Sequence, residues 1–268
     1  RRRHTRFKCD WSSDVCSSDL KYYFTWLNYA DVYPNILEIT GETGSQQQNG
    51  ALTFSNFLTI TNGTFDTSAA SNYALTCSAT GAFGIAITAN SNTRTLNLNA
   101  SSVTLAGTSP YADNSTGGYT LNAGTSTITC SNGALTFSGN GKIFYNVTFS
   151  STSIGTLTIN GSNAFNNLTF AGRAAAGRSL VAFASQTTTT INGTLTVNSG
   201  TSATPSYRYL ISPSTTNIQS TISAANVSLT NVDFISIVAA GAAIPFTGTS
   251  LGNASNNSNI TFTNAKTV

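Results

Sequence analysis

Short segments along the chain alternate apolar residues with threonine or asparagine. Residues 157–159 are Leu-Thr-Ile, and residues 195–197 are Leu-Thr-Val. Because successive side chains of a β-strand point to opposite faces, such a segment places its aliphatic side chains on one face and its threonine on the other. The intervals between these segments are too short for a helix, and an apolar period of about 3.6 residues is almost absent. The pattern predicts an all-β protein.

The segments are also repeated. The heptapeptide NGALTFS occurs at residues 49–55 and again, unchanged, at residues 132–138. Looser copies begin at Asn62, Ile154 and Asn192. The apolar positions 135, 147, 157 and 168 follow one another at steps of about ten to twelve residues, which is the spacing of short strands separated by turns. The chain is therefore predicted to be a β-repeat protein.

Two all-β folds agree with this pattern. Six Asn-Gly pairs would mark either the hairpins of an antiparallel β-sandwich or the corners of a parallel β-helix (β-solenoid), since Asn and Gly both tolerate left-handed backbone. The long repeated stretch and the Thr and Asn positions suited to inter-coil ladders favour the solenoid, with about eight to ten coils in a rod roughly 40 to 50 Å long. We predict parallel pairing, with Leu52, Phe54, Leu135 and Phe137 inward and Thr53 and Thr136 outward.

The first twenty residues, RRRHTRFKCDWSSDVCSSDL, do not follow the repeat. Their back-translation resembles the constant parts of an indexed adapter used in short-read sequencing libraries, with residues 7–9 at the variable index. Without that resemblance, His4, Cys9 and Cys16 would suggest a partial zinc site that lacks a fourth ligand nearby. We interpret residues 1–20 as an adapter-derived artefact and not as native protein.

The remaining residues carry little charge. The formal net charge of +3 falls by two when residues 1–20 are left out. The acidic residues from position 41 onward are Glu42, Asp66, Asp113 and Asp233, and the basic ones are Arg94, Lys142, Arg173, Arg178, Arg208 and Lys266. Six scattered basic residues do not form the clustered basic face that nucleic acid requires, and no apolar run approaches the roughly twenty residues of a membrane-spanning helix. No nucleic-acid partner, membrane insertion or cofactor is therefore expected.

Composition divides the native part into three segments. Residues 21–48 are rich in aromatic residues and are predicted to be a cap or the end of a preceding domain. Residues 49–225 carry the solenoid repeats, and residues 226–268 form a C-terminal β segment that we expect to be truncated.

The C-terminal segment contains Val232-Asp233-Phe234, Leu251-Gly252 and the run NSNITF at residues 257–262. These elements resemble those of large repetitive β-strand proteins of phage appendages and bacterial surfaces. The earlier GNGKIFYNVTF, from Gly139, resembles strands of the same group. The resemblance implies a virion appendage or a secreted surface protein, and it implies no enzyme class.

Cys77 and Cys130 are the two cysteines outside residues 1–20. Each follows an inward aliphatic residue by two positions, so alternation directs both sulfurs to the interior. We predict buried free thiols that pack as small apolar side chains, with a disulfide between stacked coils as the alternative.

Candidate binding residues come from segments predicted to be loops, where binding residues are common. Tyr111 and Asp113 lie in SPYADNSTGG, Arg173 and Arg178 in AGRAAAGRS, and Tyr207 and Arg208 precede Tyr209. We predict these six as candidate glycan-contact residues, while solvated turn and solubilising charges remain the alternative roles. Thr-x-Thr pairs such as 156 with 158 resemble those of ice-binding solenoids, although β-propensity alone accounts for them.

These features predict a non-catalytic structural or adhesive solenoid from a phage tail fibre or bacterial surface protein, which presents loops to cell-surface glycans. It would be extracellular, at the cell surface or on the virion, and a homotrimer if it belongs to a phage fibre. The alternative is a tailspike-like polysaccharide hydrolase or lyase on the same scaffold. That activity needs two close carboxylates, which the positions of Asp66, Asp113 and Asp233 would reveal.

Overall fold

The computed structural model describes residues 36–39, 45–54, 57–78, 83–172, 174, 176–199, 206–215 and 217–262. The predicted adapter segment 1–20 and the candidate contact residue Arg173 lie outside these ranges. The strands in chain order are β1 (Ile36–Ile39), β2 (Ser45–Gln47), β3 (Leu52–Phe54), β4 (Phe57–Ile60), β5 (Gly63–Asp66), β6 (Leu75–Cys77), β7 (Phe83–Ile87), β8 (Arg94–Asn97), β9 (Ser102–Leu105), β10 (Ser109–Asp113), β11 (Tyr119–Asn122), β12 (Thr127–Cys130), β13 (Leu135–Ser138), β14 (Ile143–Phe149), β15 (Thr156–Asn160), β16 (Ala164–Phe170), β17 (Gly177–Phe183), β18 (Thr188–Asn198), β19 (Tyr207–Pro213), β20 (Ser220–Thr230), β21 (Val232–Ile235), β22 (Ile237–Ala240) and β23 (Gly252–Ser255).

These strands form three parallel sheets. The ten-stranded sheet has the order β1-β4-β7-β10-β13-β15-β17-β19-β21-β23, and the nine-stranded sheet has the order β22-β20-β18-β16-β14-β12-β9-β6-β3. The four-stranded sheet has the order β11-β8-β5-β2. Every pairing between these strands is parallel. The predicted parallel β-solenoid is confirmed, and the antiparallel sandwich is wrong.

The number of sheets around one coil changes along the stack. From β1 to β12 each coil contributes one strand to each of the three sheets, whereas from β13 to β20 successive strands alternate between the ten-stranded and nine-stranded sheets. The predicted steps of ten to twelve residues fall in this second part, because Leu135 and Leu157 lie in one sheet and Val147 and Leu168 in the other. The ten strands of the longest sheet, about 4.8 Å apart, span roughly 43 Å.

The alternation of inward and outward residues follows the prediction. Leu135, Phe137 and Leu52 are buried, while Thr136 and Thr53 are half-buried on the outer side. The two copies of NGALTFS nevertheless lie in different sheets, since β3 belongs to the nine-stranded sheet and β13 to the ten-stranded sheet. The side chain of Phe54 lies outside the described part of the structure.

The Asn-Gly pairs lie at corners and at one irregularity within a strand. Asn140 and Gly141 both have positive φ, at 49° and 76°, in the turn between β13 and β14. Asn192 and Gly193 lie inside β18, where the register against both neighbouring strands shifts. A Cβ on Gly193 would lie 2.5 Å from Oδ1 of Asn167, so the irregularity makes room for that side chain. None of the described strands forms a hairpin at these pairs.

Aromatic side chains fill the interior where the four-stranded sheet ends. The ring of Phe137 lies 5.0 Å from Phe144, 5.4 Å from Tyr111 and 6.0 Å from Phe149, measured between centroids. Phe144 in turn stacks on Phe165 at 5.6 Å. These residues have at most 1% of their surface exposed. Large rings therefore replace the volume that a third strand occupies in earlier coils.

The division of the chain into segments remains a prediction. Strand β1, within the proposed cap segment 21–48, pairs with β4 in the ten-stranded sheet. Strand β20 runs across the proposed boundary at residue 226, and its two halves pair with β18. The described strands on either side of both boundaries thus belong to continuous sheets.

Candidate functional site

Three predicted glycan-contact residues lie together on the ten-stranded sheet. Arg178, near the start of β17, is the direct register partner of Arg208 on β19, and Tyr207 precedes Arg208. Arg178 is exposed, whereas Tyr207 and Arg208 are half-buried. They lie on strands and not in the predicted loops, because the chain enters the β conformation at Gly177 and Tyr207. We call these three residues together with Asp233 the arginine cluster.

Arg208 is held in place by a bidentate ion pair. Its Nε donates to Oδ2 of Asp233 at 2.7 Å, and its Nη2 donates to Oδ1 at 2.6 Å and to the carbonyl of Ser250 at 2.9 Å. Such paired hydrogen bonds fix the plane of a guanidinium group. The guanidinium group of Arg178 has no ion-pair partner within the described ranges. Two guanidinium groups and one carboxylate leave the arginine cluster with one net positive charge.

Gly252 explains why the ion pair fits against β23. A Cβ at this position would collide with Oδ1 of Asp233 and would lie 3.2 Å from Nη2 of Arg208. Its neighbour Leu251 is buried, so the Leu-Gly element of the C-terminal motif places an apolar anchor beside a residue without a side chain. The motif therefore supports the Arg208–Asp233 pair.

Gly252→Ala should lower the free energy of unfolding by about 1 to 3 kcal/mol, since the added methyl group must displace Asp233 or the backbone of β23. Chemical denaturation of the two proteins measures the difference. Gly117→Ala is the matched control, because a Cβ there meets only the Cβ of Ser91 at 3.9 Å. Similar losses for both variants would contradict the assigned contact.

Tyr111 and Asp113 are not in an exposed loop, and that prediction is wrong. Both belong to strand β10. Tyr111 has 0% of its surface exposed and Asp113 has 5%. Tyr111 packs against the ring of Phe137, and Oδ1 of Asp113 accepts from the backbone N–H of Ser115 at 2.9 Å. Their burial leaves neither residue available to a glycan at the surface.

Asp113 instead belongs to a buried corner that also contains Arg94. Arg94 has 0% of its surface exposed. Its Nη1 donates to the carbonyl and hydroxyl oxygens of Thr88 at 2.8 and 3.0 Å, and its Nη2 donates to the carbonyls of Asn90 and Gly117 at 2.6 and 2.9 Å. The guanidinium group thus ties together the turn before β8 and the turn before β11. Burial lowers the pKa of Arg94, and the charge of Asp113 opposes that shift.

Sequence reasoning missed Arg94, which was counted only as one of the scattered charges. The sequence did contain an indication of its burial, because Arg94 alternates in phase with the buried residues Leu96 and Leu98 and so occupies an inward position of the strand. An arginine at an inward strand position must be buried or must interrupt the strand, so the phase alone identifies a buried guanidinium group.

Two tyrosines and a lysine complete this corner. The hydroxyl groups of Tyr111 and Tyr119 lie 2.5 Å apart. Lys142 Nζ donates to the carbonyl of Tyr119 at 3.1 Å, and it lies 3.8 Å from Oδ2 of Asp113 and 5.1 Å from the Tyr119 ring centroid. Burial raises the pKa of both tyrosines. Two neutral phenol groups and a lysine therefore lie together at β11, the last strand of the four-stranded sheet.

Cys77 and Cys130 are buried free thiols, as predicted. Both are register partners of Leu105, on opposite sides of it, so two strand spacings of together roughly 9 to 10 Å separate them. A disulfide needs Cα atoms within about 7 Å, which excludes the predicted alternative. Burial raises the pKa of Cys77 to about 12, partly offset by a backbone hydrogen bond from Leu58, and burial also raises the pKa of Cys130.

Two of the aspartates expected to mark an enzyme are far apart. Asp113 on β10 and Asp233 on β21 are separated by five strand steps, roughly 24 Å. Asp66 lies in the four-stranded sheet and accepts from Asn97 at 2.9 Å and from Asn99 at 2.8 Å. Strand β5, which carries Asp66, lies two coils before Asp113. The distance between Asp113 and Asp233 therefore excludes a catalytic carboxylate pair formed by those two residues.

No protein-family model, curated protein or solved structure matches the chain. Within the described ranges, no helix is long and apolar enough to cross a membrane. No group of three His, Cys, Asp or Glu side chains in that part of the chain could hold a metal ion.

Proposed function

We propose that this chain is a non-catalytic β-solenoid segment of a phage tail fibre or bacterial surface protein that presents a contact surface to cell-surface glycans. The observation that carries the proposal is the arginine cluster. Two arginines lie side by side on neighbouring strands of a parallel stack, although the sequence separates Arg178 from Arg208 by 30 positions.

The chemistry of the cluster suits an anionic sugar. Guanidinium groups bind carboxylate and sulfate oxygens through two parallel hydrogen bonds. Arg208 is already oriented by Asp233, while Arg178 is exposed and carries the uncompensated charge. Placement on strands of the ten-stranded sheet keeps the two groups at a fixed spacing, which reduces the entropy lost on binding.

The chain should bind immobilised anionic polysaccharides, with polysialic acid and alginate as probes in surface plasmon resonance. Arg178→Gln should weaken binding by about tenfold, because it removes the uncompensated charge and a bidentate donor. Arg178→Lys keeps the charge and should give an intermediate loss. Binding should also fall as NaCl rises to about 0.5 M, since exposed charges are screened.

Arg178 is exposed and outside the core, so unfolding cannot account for the loss. Anionic binding that is equal in the wild-type and Arg178→Gln proteins would reject the arginine cluster as the contact. Release of reducing ends from either polysaccharide by the wild-type protein would reject a non-catalytic function.

A further inference from the structure

The nine-stranded sheet has an outer surface of unusual composition. None of its nine strands contains an aspartate, glutamate, lysine, arginine or histidine. The described charged residues lie outside these nine strands: Glu38 is on β1 and Asp66 on β5, the arginine cluster is on the ten-stranded sheet, and Arg94, Asp113 and Lys142 form the buried corner. A partner of this face cannot be recognised by charge.

Threonine forms a continuous column on this face. Consecutive register pairs join seven threonines, and the column ends at Ser228 on β20. The threonines are Thr53, Thr76, Thr104, Thr129, Thr148, Thr169 and Thr196. All seven are half-buried, so their hydroxyl and methyl groups form the surface at intervals of about 4.8 Å.

A second column lies two residues earlier on each strand, roughly 6.6 Å away. Asn146 donates from Nδ2 to Thr127 Oγ1 at 3.4 Å, and its Oδ1 accepts from Nδ2 of Asn167 at 2.9 Å. Oδ1 of Asn167 accepts from the backbone N–H of Thr194 at 2.8 Å. The irregularity in β18 provides this last donor, so the asparagine amides are held in one orientation along the column.

The two columns border a groove that crosses four strands. Its volume is about 400 Å³, within the range of small-molecule sites. The lining residues are Thr127, Asn146, Val147, Thr148, Asn167, Thr169, Thr194 and Thr196. The hydroxyl groups of Thr148, Thr169 and Thr196 have no hydrogen-bond partner among the described residues, so they are available to a ligand.

We propose that this groove binds an uncharged, hydroxyl-rich polysaccharide through the hydroxyl groups of Thr148 and Thr169. A threonine hydroxyl both donates and accepts hydrogen bonds, as sugar hydroxyls do, and its methyl group contacts the C–H face of a sugar ring. The absence of cations from the nine strands argues against nucleic acid and acidic glycans. The strand repeat of about 4.8 Å is close to the length of one pyranose unit, so successive threonines meet successive sugars.

This inference rests on the proposed function in that both concern glycans, but it uses a different sheet and a charge-independent contact. The test measures binding of the chain to immobilised dextran, mannan and galactan. Thr148→Val plus Thr169→Val removes two hydroxyl groups while keeping the β-branched shape, and should weaken binding at least about tenfold. The matched control is Thr136→Val plus Thr158→Val, an adjacent outward pair on the ten-stranded sheet.

The expected result is binding to at least one neutral polysaccharide that persists in about 0.5 M NaCl and is unchanged in the control and in Arg178→Gln. Equal binding by the Thr148/Thr169 variant would overturn the inference. Binding to anionic probes alone, lost in Arg178→Gln, would overturn it and leave the proposed function intact, whereas no binding to either class would remove both. If the protein adsorbed to ice through Thr148 and Thr169 but was not retained by any polysaccharide, the inference would be wrong and the face would bind ordered water instead.

Discussion

Phe137→Ala is expected to lower the free energy of unfolding by about 3 to 5 kcal/mol. The side chain is fully buried and contacts the rings of Tyr111, Phe144 and Phe149 in the interior. Truncation removes its buried surface and leaves a cavity beside rings that belong to different coils. Because the coil at this point lacks a third strand, no neighbouring element can move in to fill the space.

Thr136→Ala is the matched control, one residue away on the same strand. Its side chain is half-buried on the outer face, next to Thr158 on β15. The expected loss is well under half that of Phe137→Ala and comes from the cross-strand Thr–Thr pair. Chemical denaturation followed by circular dichroism supplies both values. Equal losses would reject the assignment of inner and outer faces on β13.

Arg94→Met is also expected to lower the free energy of unfolding by about 3 to 5 kcal/mol, because breaking a buried charged network leaves its partners unsatisfied. The carbonyl oxygen of Gly117 would lose its donor, and those of Thr88 and Asn90 would keep only one backbone N–H donor each. Asp113, whose Oδ2 has no hydrogen bond among the described residues, would also lose a nearby positive charge. Methionine keeps most of the apolar stem, so the measured loss reports the guanidinium group.

Arg178→Met is the control for this substitution, since Arg178 lies on the exposed surface of the ten-stranded sheet. Its stability should change by no more than about 0.5 kcal/mol. Arg94→Lys should recover only part of the loss, because one ammonium group cannot reach the carbonyls of two turns as a planar fork does. If Arg94→Met left the free energy of unfolding unchanged, other contacts would have to hold the corner.

The candidate site was only partly predictable from the sequence. The sequence indicated Arg178, Tyr207 and Arg208 as candidate contact residues through their residue types and their position between repeats. Their proximity depends on register: Leu157 pairs with Val181 and Val181 with Ile211, so these two successive coils take 24 and 30 residues. Coil length is set by corner segments whose sequence has no period. The pairing of Arg208 with Asp233 therefore became visible only in three dimensions.

The sequence by itself determined the strands and the alternation of faces along each of them, because alternation is a local property of extended backbone; it favoured parallel stacking without excluding an antiparallel sandwich. Only the tertiary structure decided which sheet a strand joins, as the two copies of NGALTFS show: their residues alternate identically, yet β3 and β13 lie in different sheets. It also decided that Tyr111 and Asp113 are buried and that Cys77 and Cys130 cannot meet. Those outcomes depend on how many residues each corner uses and on which rings fill the interior, and both are properties of the stacked coils together.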